Sequence, residues 1–218
     1  MSLENQIYTR KSCRKYLDDE MDMASIHDFM SNVKPLIEGI DYHYDILTPE
    51  KLTIRAGWSV PYYLAIYSDK KEFYQENVGF VFQQLSLYLQ SIGIGSCWVG
   101  MASPKIKDDE FVIVISFGKS NDMTRDVDDF KRKRLCEISD SNDKRLTPAR
   151  LAPSAINSQP WYFKHCGKDL MFIRSNRISS NGRFSRNGIL LIWVLHCPIC
   201  MLQILKLLNF IRRMIIII

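Results

Sequence analysis

The sequence predicts an α+β fold in which helices cover both faces of a mixed β-sheet. Segments with helical spacing of apolar residues alternate along the chain with short runs of aromatic and β-branched residues. In addition, 46% of the 218 residues are hydrophobic, which is enough to fill one complete core. We therefore expect a globular chain of one large domain or two small ones.

The first predicted helix follows three acidic residues at 18–20, which lie where the helix dipole favours negative charge. We expect this helix to end between Pro35 and Gly39. Its apolar stripe consists of Ile26, Phe29, Met30, Val33 and Ile37.

A buried strand is predicted at 62–67, directly after Pro61, and a strongly apolar helix at 78–92. Two extended segments follow, a short one at 97–99 and a central strand at 111–117. We expect these strands to form the β-sheet and the helix to pack against it.

The glycines that follow the second helix could suggest a dinucleotide-binding loop. A Rossmann fingerprint needs a strand before its glycines and a helix after them, whereas here the helix comes first. Gly93 and Gly95 are therefore expected to end the helix, or to let the backbone turn or approach another group closely.

The charge distribution argues against nucleic-acid binding. Residues 1–169 carry 22 basic and 24 acidic side chains, and the whole basic excess lies in residues 170–218, which have 7 basic residues and no acid. A basic tail is not a basic domain face. The first ten residues lack the apolar core of a secretory signal, and six scattered cysteines suit a reducing compartment, so we expect a cytoplasmic protein.

Two basic runs are candidates for binding an anion. Arg10–Tyr16 reads R-K-S-C-R-K-Y, and its guanidinium and hydroxyl groups match a phosphate, although a solvated basic turn remains the alternative. Lys131–Arg134 follows an acidic stretch, and by itself it predicts a surface loop.

Side-chain catalysis finds little support. The C-x-x-C at 197–200 has too little chain after it for a thioredoxin-like fold, and no second ligand pair predicts a metal site. No Ser/His/Asp set or pair of carboxylates can be singled out, so the catalytic residues are unknown. If the protein is an enzyme, we expect a cofactor to supply the chemistry.

Residues 149–163 place several small hydrogen-bonding side chains between Pro153 and Pro160, before an aromatic run. The end of this segment resembles residues 59–64 at an offset of 99 residues, since S-V-P-Y-Y-L aligns with S-Q-P-W-Y-F. The echo is short, and it suggests a duplicated unit.

Four motifs together resemble the FMN-dependent nitroreductase family. They cover its N-terminal basic signature, its central helix with the following turn, its late basic segment and its most recognisable loop. In this sequence they are R-K-S-C-R-K-Y at 10–16, residues 77–100, F-K-R-K-R-L-C-E-I at 130–138 and A-R-L-A-P-S-A-I-N-S-Q-P-W-Y-F at 149–163.

The resemblance implies ping-pong chemistry, in which NAD(P)H reduces FMN at flavin N5 and a nitroaromatic, quinone or similar small molecule takes the electrons. It also implies the cofactor-binding residues. These are Arg10, Lys11, Ser12 and Arg14 for the phosphate and ribityl chain, Lys133 and Arg134 for further phosphate contacts, Ser154, Asn157 and Gln159 along the isoalloxazine ring, and the backbone near Gly100 at the N5 edge.

One departure from the family is the 140 residues between Tyr16 and Asn157. In typical members the corresponding motifs are separated by about one helix, but a subgroup resembles a fused duplication. The sequence thus predicts a nitroreductase-like domain at 1–168, with a first half to about 140 and the start of a second from about 145. Either a monomeric pseudo-dimer or a homodimer would fit.

The Ile-rich tail at 169–218 matches no family motif. An altered reading frame, a divergent folded end and, least favoured, a membrane-associated helix at 189–211 would each explain its composition. Because the tail lies where a second half should continue, the alternative function is a non-catalytic flavin-binding protein or an inactive remnant with an incomplete site.

Overall fold

A computed structural model describes residues 3–166, 169–174 and 214–216. The chain forms two compact units, Met1–Asp126 and Val127–Ile218. The predicted boundary between two halves at about 140–145 stays a prediction.

The first unit is built on a four-stranded sheet that is antiparallel throughout, in the order β1-β3-β6-β4. A separate antiparallel pair joins β2 to β5. The predicted strands at 62–67, 97–99 and 111–117 are confirmed as parts of β3, β4 and β6. The strands of this unit are β1 (Tyr42–Leu47), β2 (Leu52–Ile54), β3 (Tyr62–Ser68), β4 (Ile94–Val99), β5 (Ala102–Pro104) and β6 (Phe111–Lys119).

Three helices accompany this sheet: α1 (Leu3–Thr9), α2 (Ala24–Ser31) and α3 (Tyr74–Ser91). Both α1 and α2 pack against α3, which in turn contacts β3 and β4. The predicted apolar helix is therefore confirmed as α3. Helix α3 buries polar residues such as Asn77 and Gln83 as well as its apolar ones, as expected of a helix surrounded by protein.

Helix α2 ends at Ser31, before the predicted point, and a distant side chain holds the segment that follows it. The backbone N–H groups of Leu36 and Ile37 donate to Asn77 Oδ1 on α3, at 2.9 and 3.0 Å, instead of to carbonyls of a continuing helix. Pro35 also disfavours helical geometry in the residue before it. The segment from 33 to 39 is thus held by α3.

The glycines after α3 have the structural roles expected of them. Gly93 has a φ of +84° just beyond the helix end, where a side chain would be strained. Gly95 lies on β4, closely packed against Cys13. Neither lies between a strand and a following helix, in agreement with the rejection of a Rossmann loop.

The described residues of the second unit form two short helices, α4 (Leu135–Ile138) and α5 (Thr147–Leu151), and three strands, β7 (Trp161–Cys166), β8 (Asp169–Arg174) and β9 (Met214–Ile216). Strand β7 pairs antiparallel with β8, and β8 pairs parallel with β9. Trp161 and Phe163 of β7 are buried. β7 begins directly after Pro160, as β3 begins directly after Pro61, so the 99-residue echo marks the starts of two strands. A duplication stays a prediction.

Most of the predicted tail, including the C-x-x-C at 197–200 and the apolar segment at 189–211, lies outside the described residues. Within the described ranges, no helix is long and apolar enough to cross a bilayer.

Candidate functional site

The N-terminal basic motif runs beside the edge of the sheet in the first unit. Arg10 forms a backbone bridge with Thr124, and Ser12 forms a parallel bridge with Ser96 of β4. The N–H of Cys13 donates to Ser96 O at 3.0 Å. These bonds fix the backbone of the motif, so its side chains project from a defined position next to β4.

Arg10 and Ser12 contact each other directly. The Arg10 side chain is buried, with 4% of its surface exposed, and its Nη2 donates to Ser12 Oγ at 3.1 Å. A guanidinium beside a hydroxyl offers several N–H and O–H donors of the kind that bind phosphate oxygens.

Arg14 lies against an aromatic ring that the sequence did not single out. Its guanidinium carbon is 5.3 Å from the centroid of Trp58, within the range of a cation–π interaction. The indole N–H of Trp58 is buried and has no hydrogen-bond partner in the described part of the chain. The contact keeps an exposed guanidinium in a preferred position.

Cys97 of β4 shows that these basic groups lie close together. Burial raises the pKa of its thiol, while the positive charges of Arg14 and Arg10 and a hydrogen bond with Ser12 act in the opposite direction. The structure thus brings three predicted site residues, Arg10, Ser12 and Arg14, around one position on β4. Gly100 follows β4 in a turn at the end of the same strand.

Lys11 is the member of the motif that points elsewhere. Its ammonium group pairs with the Asp122 carboxylate, and this hydrogen bond lowers the pKa of Asp122. Binding of a phosphate by Lys11 would therefore compete with an existing ion pair.

In the second unit, Asn157 is held on both sides of its amide. Arg132 Nη1 donates to Asn157 Oδ1 at 2.6 Å, and Asn157 Nδ2 donates to Lys131 O at 2.7 Å. The basic run therefore contacts the loop that follows α5.

Gln159 is held by the next residue of that run. The Lys133 N–H donates to Gln159 Oε1 at 2.8 Å, and Lys133 Nζ donates to Gln159 O at 3.0 Å. The N–H of Gln159 donates to Ser154 Oγ at 3.1 Å. Hydrogen bonds thus connect four of the predicted site residues, Lys133, Ser154, Asn157 and Gln159, with their neighbours in one network.

Arg134, the fifth predicted residue of this unit, is not part of the loop. Its side chain is largely exposed and pairs with Glu137 at 3.2 Å. Arg132, which the sequence did not select, makes the contact to Asn157 instead. The run of four basic residues was visible in the sequence, but nothing in it showed which side chain would reach the loop.

A Ser/His/Asp set that was not found in the sequence also lies in the second unit. His165 Nδ1 is 2.8 Å from Asp140 Oδ1, and its Nε2 is 3.1 Å from Asp143 Oδ2. Ser141 Oγ is 3.0 Å from both ring nitrogens, so it is not aligned with either one. Hydrogen bonds that the His165 ring donates to the Asp140 and Asp143 carboxylates raise its pKa, so both ring nitrogens are engaged with acids. This is a structural ion cluster and not the arrangement of an acyl-transfer site.

No cluster of three or more metal-ligating side chains occurs among the residues that the structure describes.

Comparison with known families decides where the chain belongs. The family model described as "Putative TM nitroreductase" matches residues 2–184. The chain belongs to this nitroreductase family. The match continues past residue 168, where the recognisable motifs of the sequence end.

Solved structures of nitroreductases share the fold. TM1586 of Thermotoga maritima MSB8 superposes with a TM-score of 0.61 and is 23% identical over 94% of this chain and 86% of its own. A nitroreductase family protein from Clostridium difficile 630 has a TM-score of 0.50 and 16% identity, covering 63% of this chain and 96% of its own. No curated protein matches the chain. These structures show an α+β nitroreductase-like fold.

Proposed function

We propose that this protein is an FMN-dependent oxidoreductase that uses NAD(P)H to reduce nitroaromatic, quinone or similar small-molecule acceptors. One observation carries the proposal. Arg10, Ser12 and Arg14 gather beside β4 in a member of the nitroreductase family, where they offer donors suited to a phosphate.

The donor set of the first unit fits the phosphate end of FMN. Arg10 and Arg14 are permanently charged, and Ser12 adds a short hydroxyl donor already oriented by Arg10. Lys11 would contribute only if it left Asp122. The main phosphate binders in this proposal are therefore Arg10, Ser12 and Arg14.

The residues proposed for the ring are Ser154, Asn157 and Gln159, with the backbone near Gly100. The bonds to Arg132, Lys131 and Lys133 leave each amide with further capacity, because a carboxamide has two N–H donors and two acceptor lone pairs. Lys133 and Arg134 remain proposed as additional phosphate contacts.

FMN, when bound, supplies the redox chemistry by accepting a hydride and passing electrons to an acceptor. The residues of the chain bind it, orient it and surround it with positive charge. Burial raises the pKa of Cys97, and the charges of Arg14 and Arg10 oppose that rise; the same charges would favour negative charge on a ligand beside them.

The remaining partner predictions extend this proposal. We propose that the protein acts in the cytoplasm on small molecules and binds neither nucleic acid nor membrane. We also propose that it works either as a single-chain pseudo-dimer or as a homodimer. Light scattering of the full chain with and without FMN distinguishes these two assemblies.

A two-stage experiment on the purified full chain tests the function. FMN and riboflavin are first titrated separately, because riboflavin lacks the phosphate. We expect FMN to bind at least about tenfold more tightly, the worth of roughly one charge-assisted hydrogen bond. NADH or NADPH is then added anaerobically to the FMN-loaded protein.

Bleaching of the flavin would support an oxidoreductase, and retention of FMN without bleaching would support the non-catalytic flavin-binding alternative. A folded protein that binds neither flavin would refute both.

A further inference from the structure

The loop between α5 and β7 has an unusual backbone. Ile156, Asn157 and Gln159 have φ values of +48°, +57° and +47°, the left-handed region that is sterically unfavourable for residues with a side chain. For Ile156 the strain is greatest, since its side chain is β-branched, and 81% of its surface is exposed. Apolar burial therefore does not hold Ile156 in this conformation.

Hydrogen bonds from the segment 131–133 offset this strain. Arg132 uses two guanidinium nitrogens, with Nη1 donating to Asn157 Oδ1 at 2.6 Å and Nη2 to Leu151 O, at the end of α5, at 3.3 Å. The guanidinium thus ties the end of the helix to the strained loop. A lysine, with its single nitrogen and flexible stem, would not reproduce this fork.

The loop is closed further along by Gln159, which is 4% exposed. Its Oε1 accepts from the Lys133 N–H, and its Nε2 donates to Asn157 O at 3.1 Å. Arg132 and Lys133 therefore hold consecutive parts of the same loop, and Asn157 is the residue that both sets of bonds share.

We propose that Arg132 is a positioning residue for flavin binding, acting through Asn157 to hold residues 154–159 in their strained conformation before the ligand arrives. This inference rests on the proposed function. A loop that is already ordered binds without the entropic cost of ordering it, so loss of the Arg132 contact weakens affinity although Arg132 itself need not touch the ligand.

The test compares Arg132→Ala, Arg132→Lys, Asn157→Ala and the double variant Arg132→Ala/Asn157→Ala. Lys144→Ala is the matched control, because it removes an exposed positive charge from the same unit and makes no side-chain bond to the loop. FMN dissociation constants are measured by fluorescence quenching. Amide hydrogen exchange of residues 154–159 is measured without FMN.

We expect Arg132→Ala to raise the FMN dissociation constant about tenfold, as for loss of a hydrogen bond to a charged group, and to speed exchange in the loop. Asn157→Ala also removes the proposed contact to the ring, so it should weaken binding at least as much. The double variant should be little worse than Asn157→Ala alone, because the contribution of Arg132 acts through Asn157. Arg132→Lys should restore part of the affinity, and Lys144→Ala should match the wild type.

Different results overturn different claims. If Arg132→Ala and wild type bind FMN within about twofold of each other, the positioning role is refuted while the flavin function stands. If the fold-changes in the FMN dissociation constant of the two single variants multiply in the double variant, Arg132 does not act through Asn157. If the wild type binds no FMN, the proposed function and this role fall together. Should Arg132→Ala not fold, Arg132→Lys carries the test, because it keeps the positive charge and loses the two-nitrogen contact to Asn157 and Leu151. Unchanged FMN affinity and unchanged loop exchange in Arg132→Lys would then refute the positioning role.

Discussion

Gly95 of β4 lies so close to Cys13 that a Cβ atom at position 95 would be 2.6 Å from the Cys13 Sγ and 2.7 Å from its Cβ. This contact lets the basic motif run directly against the strand. Cys13 itself is buried, and its thiol lies 3.1 Å from Ser120 Oγ, so it has little room to move away.

Gly95→Ala should therefore destabilise the protein by about 1–3 kcal/mol, the usual cost of overpacking a closely packed site. Urea unfolding measures the change. Gly57→Ala is the control, because a Cβ there meets no atom within 4 Å, and its effect should stay within about 0.5 kcal/mol. Equal stability of the two variants would show that the motif does not pack against β4 in this way.

Asn77→Ala should cost about 1–3 kcal/mol, since it leaves the N–H groups of Leu36 and Ile37 without their acceptor in a partly buried position. The free energy of unfolding, again from urea titration, checks this. Asn5→Ala removes an exposed asparagine side chain from α1 and should change stability by less than about 0.5 kcal/mol. A similarly small effect at Asn77 would mean that it does not hold this segment.

His165 should make stability depend on pH. Hydrogen bonds that the imidazole donates to Asp140 and, with a smaller effect, to Asp143 raise its pKa above the ordinary value of 6.5, while Arg145 holds the pKa of Asp143 low. The stabilisation that the protonated His165 gives to the folded state is complete below the pKa that this ring has in the unfolded chain. It is lost as the pH rises through the higher pKa of the ring in the folded protein.

His165→Asn removes the titrating ring, so the wild type should lose more stability than this variant between about pH 6 and about pH 9. Urea unfolding of both proteins at the two pH values measures the difference, since their other titrating groups are the same. Parallel losses would contradict the ion cluster.

Arg14→Ala should weaken FMN binding by about 1.5–3 kcal/mol, or roughly 10- to 150-fold, the worth of a charge-assisted hydrogen bond. Isothermal titration measures the affinity. Lys34→Ala removes an exposed positive charge outside the basic motif and should bind FMN as the wild type does. An Arg14→Ala protein with unchanged affinity would remove Arg14 from the phosphate site.

The elements that depend on local patterns could be predicted from the sequence. Helix α3 and strands β3, β4 and β6 follow from spacing and composition, because their own side chains decide their burial. The contact that holds the segment after α2 could not be predicted, since its acceptor is Asn77, about 40 residues away in sequence. The short pair of β2 and β5 likewise depends on which distant strand is available.

The same distinction applies to the candidate site. The chemical types at Arg10, Ser12 and Arg14 were readable because guanidinium and hydroxyl groups suit phosphate wherever they lie. The partners of the basic side chains could not be predicted from the sequence, because the fold brings them together. Arg14 meets Trp58, Lys11 meets Asp122, and Arg132 meets Asn157. The ligand class stays a prediction from the sequence, and the structure showed which cations are already paired.

The most direct test of the central claim is anaerobic reduction of the FMN-loaded full chain, followed through the flavin absorbance. We predict that NADH or NADPH bleaches the bound flavin far faster than it bleaches free FMN. We also predict that a quinone or nitroaromatic acceptor, added afterwards, restores the absorbance. A flavin that stays bound and oxidised under a large excess of both nicotinamides would contradict the assignment as an oxidoreductase.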